Sequence, residues 1–194
     1  MGRQFSACEL SDIFVSQPII AAVKDQKELE RALCSDVKAV FVLFGDILTI
    51  ASIVSRISDC GKHAFVHVDL IEGLSSREIA VDFIAASTVA SGIISTKAAL
   101  VHRAKAHGLI AIQRFFLLDS LAIRNIERQI QQKDSADFIE VLPGLMPKII
   151  RSLSLSLNKP VIAGGLISDK EDVVAALGAG ALAVSSTNEA VWHL

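Results

Sequence analysis

Two short polar segments near the end of the chain carry residue types that bind anions. Gly164-Gly165 directly follows one apolar run, and Ser185-Ser186 follows the next, just before a short helix expected to start near Asn188. Glycine lets the backbone approach a ligand with no side chain in the way, and the free N–H groups of a helix start attract anions. We expect these segments to hold a phosphate group; two ordinary turns of the same composition are the alternative.

Charged residues stand at the ends of other apolar runs. Asp69 and Glu140 could exchange protons, hold a cation or bind ligand hydroxyls. Arg114 could clamp a ligand through its fork of donors, or instead pair with one of the acids. Gln113 is expected to add hydrogen-bond donors at the same place. His67 precedes Asp69 by two residues and so shares its strand face, where a lone histidine is more often a hydrogen-bonded core residue than a base.

The order of the elements indicates how these residues could meet. Short β-rich runs alternate with longer helical patterns in eight strand–helix units, at intervals of roughly 18 to 28 residues. This rhythm predicts a single compact (β/α)8 TIM-type barrel over residues 18–194, with a doubly wound open sheet as the alternative. In a barrel the carboxyl ends of all strands meet at one end, where functional residues gather.

Capping residues place several helix starts. Asp46 is predicted to cap a helix that runs to about Asp59, and Ser168 to cap another, with Glu171 at capping-box spacing. Ser95–Lys97 also precedes a helix, so it could add hydroxyls and a cation to a ligand site or simply be an N-cap.

Residues 1–17 form an extension before the first strand. Phe5, Cys8, Ile13 and Phe14 could form one apolar helical face, which we expect to pack on the bottom of the barrel. The extension lacks the apolar core of a signal peptide.

Composition excludes several classes of protein. Hydrophobic residues make up 52% of the 194 residues, as expected for strands that are buried on both faces. The net charge of −2 gives no overall attraction to nucleic acid or membrane, and no apolar run is long enough to span a bilayer. The three distant cysteines indicate free thiols in a reducing cytoplasm. Metal-ligand spacing, a Walker loop and a nucleophile elbow are all missing from the sequence, so we expect no metal or other cofactor.

Basic residues are concentrated in one part of the chain. Between Lys97 and Lys133 there are seven basic residues against two acidic ones. On neighbouring helices they could form one basic face that contacts RNA phosphates; a solvated outer surface is the plainer interpretation. Aromatic residues, which stack on bases, make up only 5% of the chain. The candidate RNA-binding residues are Lys97, Arg103, Lys105, Arg124 and Arg128.

Five segments in the same order resemble one known family, the bacterial glycerol uptake operon antiterminator regulatory proteins. The resemblance extends from about Pro18 to Trp192. The segments are His67–Gly73 (HVDLIEG), Gly92–Thr96 (GIIST), Ala111–Ser120 (AIQRFFLLDS), Ile139–Gly144 (IEVLPG) and Ile162–Ile167 (IAGGLI).

The resemblance implies a function for the barrel. Members of the family are known as regulators that respond to glycerol 3-phosphate, bind the leader mRNA of glycerol operons and let transcription pass a terminator. It therefore implies a regulator and not an enzyme, and a homo-oligomer is compatible with it. A barrel enzyme acting on a small phosphate ester, an isomerase or phosphodiesterase, is the alternative, and a passive metabolite binder is a third. By resemblance, the phosphate would be held by Gly164, Gly165, Ser185 and Ser186, and the glycerol part by Asp69, Glu140 and Arg114.

Overall fold

The computed structural model describes residues 6–132 and 135–194 and contains a closed barrel. Each of the eight strands is parallel to its neighbours, strands adjacent in sequence are adjacent in space, and the last pairs with the first. The predicted (β/α)8 TIM-type barrel is therefore confirmed. The strands are β1 (Ile19–Val23), β2 (Ala39–Val42), β3 (His63–His67), β4 (Gly92–Ser95), β5 (Ile110–Phe116), β6 (Phe138–Leu142), β7 (Val161–Gly164) and β8 (Ala183–Ser186).

Helices alternate with the strands around the barrel. In the described part of the chain, one helix precedes β1 and seven others each connect two successive strands. Two 3₁₀ turns, Val68–Leu70 and Glu189–His193, follow β3 and β8. The helices are α1 (Ala7–Ser16), α2 (Gln26–Cys34), α3 (Ile50–Asp59), α4 (Glu78–Ser87), α5 (Ala98–Ala106), α6 (Ser120–Ile130), α7 (Pro147–Ser156) and α8 (Lys170–Gly178).

Strand β1 shows why the chain is so apolar. All five of its residues are buried. Ile20 and Ala22 face the barrel interior, whereas Ala21 and Val23 pack outward among the residues of the helices. Because a barrel strand is covered on both faces, its sequence is a continuous apolar run and does not alternate between apolar and polar residues.

Helix α1 closes the bottom of the barrel, the end where the amino ends of the strands meet. Leu10 and Phe14 are fully buried in the interior cluster, and the Phe14 ring packs edge to face with that of Phe138, the first residue of β6, with centroids 5.9 Å apart. The prediction that Cys8 belongs to the apolar face of this helix is wrong, since its side chain is exposed. The helical period runs from Phe14 back to Leu10, so position 8 falls on the solvent side. Phe5 lies outside the described residues.

Two predicted helix starts are displaced in the structure. Asp46 does not cap α3: its carboxylate accepts hydrogen bonds from the backbone N–H groups of Leu48 and Thr49, which form a turn before the helix begins. At α8 the N-cap is Asp169, whose side chain accepts from the Asp172 N–H at 2.9 Å. Asp169 and Asp172 have the same three-residue spacing as the predicted Ser168 and Glu171, but the Asp172 carboxylate accepts from the N–H and hydroxyl of Ser168, one residue before the N-cap.

Candidate functional site

Strand alternation brings four polar side chains together in the upper part of the barrel interior. On β3, β5, β6 and β8 the inward residues nearer the bottom are apolar, and the inward position two residues further along each of these strands is polar. We call the end where the carboxyl ends of the strands meet the mouth. The polar inward residues near it, all buried, are His67, Arg114, Glu140 and Ser185.

Glu140 is the centre of a buried hydrogen-bond network. Arg114 Nε donates to Glu140 Oε2 at 2.6 Å, and Ser185 Oγ donates to Glu140 Oε1 at 2.6 Å. Each oxygen of this fully buried carboxylate therefore has a partner, as a buried charge requires. Within residues 6–132 and 135–194, the other guanidinium nitrogens of Arg114 make no hydrogen bond to the protein and are not fully buried, so they are free to donate to a ligand in the cavity that this arginine lines.

Gly164 makes room for this network. A Cβ atom at this position would lie 2.5 Å from Ser185 Oγ and 2.6 Å from Glu140 Oε1. The register places Gly164 opposite Ser185 on the neighbouring strand, so any side chain here would push the two partners apart. The space expected for a ligand at Gly164 is thus taken by side chains of the protein.

The loop after β7 forms one wall of a cavity of about 390 Å³ in the mouth. Gly165 and Leu166 both have positive φ angles, +74° and +64°, which turn the backbone sharply. Left-handed backbone at a leucine is unfavourable and clusters at ligand-binding sites. The cavity is lined by Ala22, Leu43, Arg114, Glu140, Leu142, Gly165, Leu166, Ile167, Ser168, Ser185, Ser186, Thr187 and Asn188.

Ser186 and Asn188 tie the loops after β7 and β8 together. Ser186 Oγ donates to the Ile167 carbonyl at 2.8 Å and accepts from the Asn188 N–H at 3.0 Å. Asn188 Nδ2 donates to the Ser168 carbonyl at 2.8 Å. The expected final helix is only the 3₁₀ turn Glu189–His193, which contributes little helix dipole. An anion here would therefore be bound by the backbone of the two loops and by Arg114.

Asp69 lies on the other side of the mouth, in the 3₁₀ turn after β3. Its Oδ2 accepts hydrogen bonds from Ser95 Oγ at 3.0 Å, from the Thr96 N–H at 2.8 Å and from Thr96 Oγ1 at 3.2 Å. Lys97 Nζ lies 3.5 Å from its Oδ1. Burial alone would raise the pKa of Asp69, but these hydrogen bonds and the nearby His67 and Lys97 hold the pKa below its ordinary value.

His67 is the site residue that sequence reasoning undervalued. Its buried ring lies beside Asp69, with Nδ1 3.8 Å from Asp69 Oδ2. Burial and, second, the charge of Arg114 lower the pKa of His67 to about 4, so the ring is neutral near pH 7. Its Nδ1 has no hydrogen-bond partner in the described structure, unlike a typical core histidine. The inward position two residues before Asp69 was the sequence signal.

Gln113 does not lie in the mouth, contrary to expectation. Strand β5 continues to Phe116, so alternation turns Arg114 inward and Gln113 outward. There its Nε2 donates to Gln129 Oε1 on α6 at 2.6 Å.

The structure divides the predicted basic residues into two groups. Three of them pair with acidic residues, which reduces the charge that they could offer to RNA, whereas Arg124 and Arg128 are exposed on α6. No acid lies within ion-pair distance of these two arginines in the described parts of the chain. Lys133 lies outside the described residues. The pairs are Lys97 with Asp69, Arg103 with Asp82, and Lys105 with Asp137.

A larger cleft lies at the opposite end of the molecule. It measures about 830 Å³ and is lined largely by polar residues near the ends of α6 and α7, including Gln131 and Lys159. The mouth is the stronger candidate for a ligand site, because the buried charged groups converge there. Among residues 6–132 and 135–194, no cluster of side chains could hold a metal ion, and no helix is long and apolar enough to cross a membrane.

Comparison with known proteins gives one consistent family. Residues 19–192 match the model of a family described as glycerol-3-phosphate responsive antiterminators. The crystal structure of a glycerol uptake operon antiterminator regulatory protein from Listeria monocytogenes is 36% identical, with a TM-score of 0.87 over 91% of this chain and 95% of that one.

Two further relatives cover a similar share of the chain. A glycerol uptake operon antiterminator-related protein from Thermotoga maritima has a TM-score of 0.79 at 34% identity, over 90% of this chain and 96% of that one. An Escherichia coli protein, YgcP, described as uncharacterized, is 46% identical over 91% of this chain and 92% of its own length.

Proposed function

The chain belongs to the family of glycerol-3-phosphate responsive antiterminators, and we propose that it binds glycerol 3-phosphate in the mouth and acts on the leader mRNA of glycerol-utilisation transcripts. Ligand binding would favour an RNA-competent state, or a dimer, in which transcription passes the terminator. This shift requires that the ligand bind the RNA-competent state more tightly than the other.

The observation that carries the ligand half of the proposal is the cavity between the loops after β7 and β8. Its volume of about 390 Å³ suits a small metabolite, and Arg114 on its floor has guanidinium nitrogens beyond the one bound to Glu140. We propose that the phosphate lies against the backbone of Gly165 and Ser186, near Arg114. Gly164 and Ser185 act indirectly, because they shape and hold the carboxylate that orients the arginine.

The RNA half of the proposal rests on Arg124 and Arg128. Both are exposed on α6 and lie outside the ion pairs that occupy the other basic residues of the stretch. We propose that they contact RNA phosphates, since arginine binds phosphate through a fork of donors. The double variant Arg124→Glu, Arg128→Glu should then weaken leader-RNA retention in a filter assay by roughly tenfold or more. The control is Arg151→Glu on α7, and equal retention by all three proteins would contradict this assignment.

Antitermination itself can be measured by transcription of a leader template in vitro. We expect the protein to increase read-through, and glycerol 3-phosphate to increase it further. The matched pair of variants is Arg114→Gln, which removes the buried cation of the mouth, and Arg151→Gln, which removes an exposed arginine on α7 that does not line the cavity. Read-through that responds to glycerol 3-phosphate equally in both variants would contradict a ligand site at Arg114.

An enzyme acting on a small phosphate ester is the second candidate. The neutral His67 beside the ionised Asp69 is the observation that favours it, because such a pair can move protons. We favour the regulator because the family is described by its response to glycerol 3-phosphate and not by a reaction. We further propose that the protein works in the cytoplasm without a metal or other cofactor.

A further inference from the structure

Two buried polar atoms in the mouth have no hydrogen-bond partner. Among the described residues, His67 Nδ1 and Asp69 Oδ1 are the side-chain atoms in this condition. They belong to neighbouring side chains on the β3 side of the mouth, opposite the cavity wall formed by the loop after β7. Buried polar atoms are nearly always hydrogen-bonded in native proteins, so two of them in one place indicate a missing partner such as a ligand.

The site around these atoms is built by the protein. Three hydrogen bonds from Ser95 and Thr96 fix the other carboxylate oxygen of Asp69, so Oδ1 is held in one position. Lys97 Nζ lies 3.5 Å from Oδ1, too far for a good hydrogen bond, and its side chain is 44% exposed. This long side chain can therefore move aside or bind a ligand oxygen in addition.

The chemistry of the two atoms selects their partner. An ionised carboxylate oxygen only accepts hydrogen bonds, so the atom facing Asp69 Oδ1 must be a donor. A neutral imidazole nitrogen accepts or donates according to its tautomer. A hydroxyl group satisfies both, because it donates its one hydrogen to Asp69 Oδ1 and its oxygen accepts from the Nδ1–H tautomer of His67. A ketone oxygen cannot donate, and a carboxylate would meet Asp69 as a like charge.

We infer that His67, Asp69 and Lys97 form a hydroxyl subsite, which binds the secondary alcohol next to the phosphorylated carbon of a polyol phosphate and discriminates against analogues with a ketone at that carbon or a carboxylate beside it. The inference rests on the proposed function, since Arg114, which lies near His67 and lines the cavity, would stand between the hydroxyl subsite and the phosphate. Lys97 thereby belongs to the ligand site and not to an RNA-binding face.

Calorimetric titration of the full chain tests the discrimination with four probes: glycerol 3-phosphate, dihydroxyacetone phosphate, 3-phosphoglycerate and inorganic phosphate. Glycerol 3-phosphate should bind at least about tenfold more tightly than each of the others, because a lost hydrogen bond to a charged group has an effect of that size. Equal binding of glycerol 3-phosphate and dihydroxyacetone phosphate would overturn the hydroxyl subsite.

The variant Asp69→Asn provides a sharper test. Asparagine keeps an oxygen to accept from Ser95 and Thr96 but replaces Oδ1 with an N–H donor. Affinity for glycerol 3-phosphate should fall roughly tenfold or more, while the preference over dihydroxyacetone phosphate shrinks, because a ketone can accept from the new donor. Glu72→Gln makes the same charge change at an exposed position on the same loop and should leave both affinities unchanged.

The outcomes separate this inference from the proposed function. If wild type binds inorganic phosphate as tightly as glycerol 3-phosphate and Asp69→Asn changes neither, the hydroxyl subsite is wrong while the phosphate site stands. If none of the four probes binds, the proposed function fails and the inference with it. A loss of fold in Asp69→Asn is recognised by circular dichroism; His67→Gln then takes its place, and an unchanged preference for glycerol 3-phosphate in that variant would overturn the subsite.

Discussion

The two ends of the barrel interior differ in almost every respect. At the bottom, α1 inserts Leu10 and Phe14 among apolar side chains and closes the interior. At the mouth, nearer the carboxyl ends of the strands, the interior contains charged and polar groups, including the buried pair of Glu140 and Arg114. The difference separates stability from function. Apolar burial at the bottom stabilises the fold, whereas the mouth holds polar groups in fixed positions at some cost in stability.

The largest expected effect is at the bottom. Phe14→Ala removes a fully buried ring that contacts Phe138, and should lower the free energy of unfolding by about 3–5 kcal/mol. Urea unfolding measures the change, and Val15→Ala, at a neighbouring position that is 75% exposed, is the control. Ligand affinity of the folded protein should stay the same; a weakened affinity would show that the two ends are coupled.

A change in the mouth should affect both stability and binding. Glu140→Gln removes the charge that faces Arg114 in a buried position, which should lower the free energy of unfolding by about 3 kcal/mol. It should also weaken glycerol 3-phosphate binding, because the guanidinium loses the partner that orients it. Urea unfolding and calorimetry on the same samples check both effects. A variant that is destabilised but binds normally would mean that the network is structural only.

The pH dependence of stability offers a test of the burial of His67. Its pKa is lowered to about 4 in the folded protein, against 6.5 for the ordinary value. Between these values the unfolded chain binds more protons, so stability should decrease as the pH falls through this window. From pH 7 to pH 4.5 wild type should lose about 2 kcal/mol more than His67→Gln. Identical losses in urea unfolding would mean that His67 titrates normally.

Glycine substitutions test the packing of the mouth, with a smaller expected effect on stability. Gly164→Ala places a methyl group against Ser185 and Glu140 and should lower the free energy of unfolding by roughly 1–2 kcal/mol. Gly178→Ala is the matched control, since nothing lies within 4 Å of a Cβ there. It should be neutral or slightly stabilising. Thermal unfolding compares the stability of the two variants. A Gly164→Ala variant as stable as wild type would show that the hydrogen-bond network of Glu140 can shift without loss of stability.

Sequence reasoning predicts the bottom and the mouth unequally well. The eight units are readable because helix and strand periods are local patterns, so the barrel follows from them. The inward or outward direction of a side chain depends on the length and pairing of its strand: Gln113 faces outward because β5 extends to Phe116 and pairs with β6 in that register. Likewise, the partners of Glu140 lie 26 and 45 residues away in the sequence, so no local pattern could reveal them.

The sequence shows which residue types belong to the mouth, but it does not show what each of them contacts there. Gly164 signals close approach of some atom, yet only the structure shows that this atom belongs to Ser185. Lys97 is basic and sits in a basic stretch, but the turn after β3 brings Asp69 to it. In both cases the deciding contact joins elements that are distant in sequence.

Titration of glycerol 3-phosphate into the protein, followed by phosphorus NMR at concentrations near a millimolar, tests the central claim most directly. The account predicts that the original phosphorus signal shifts or broadens in wild type and that no new signal grows over several hours, which means binding without turnover. A new phosphorus signal would show that the mouth is the active site of an enzyme. An unchanged spectrum would contradict glycerol 3-phosphate as the ligand of the mouth.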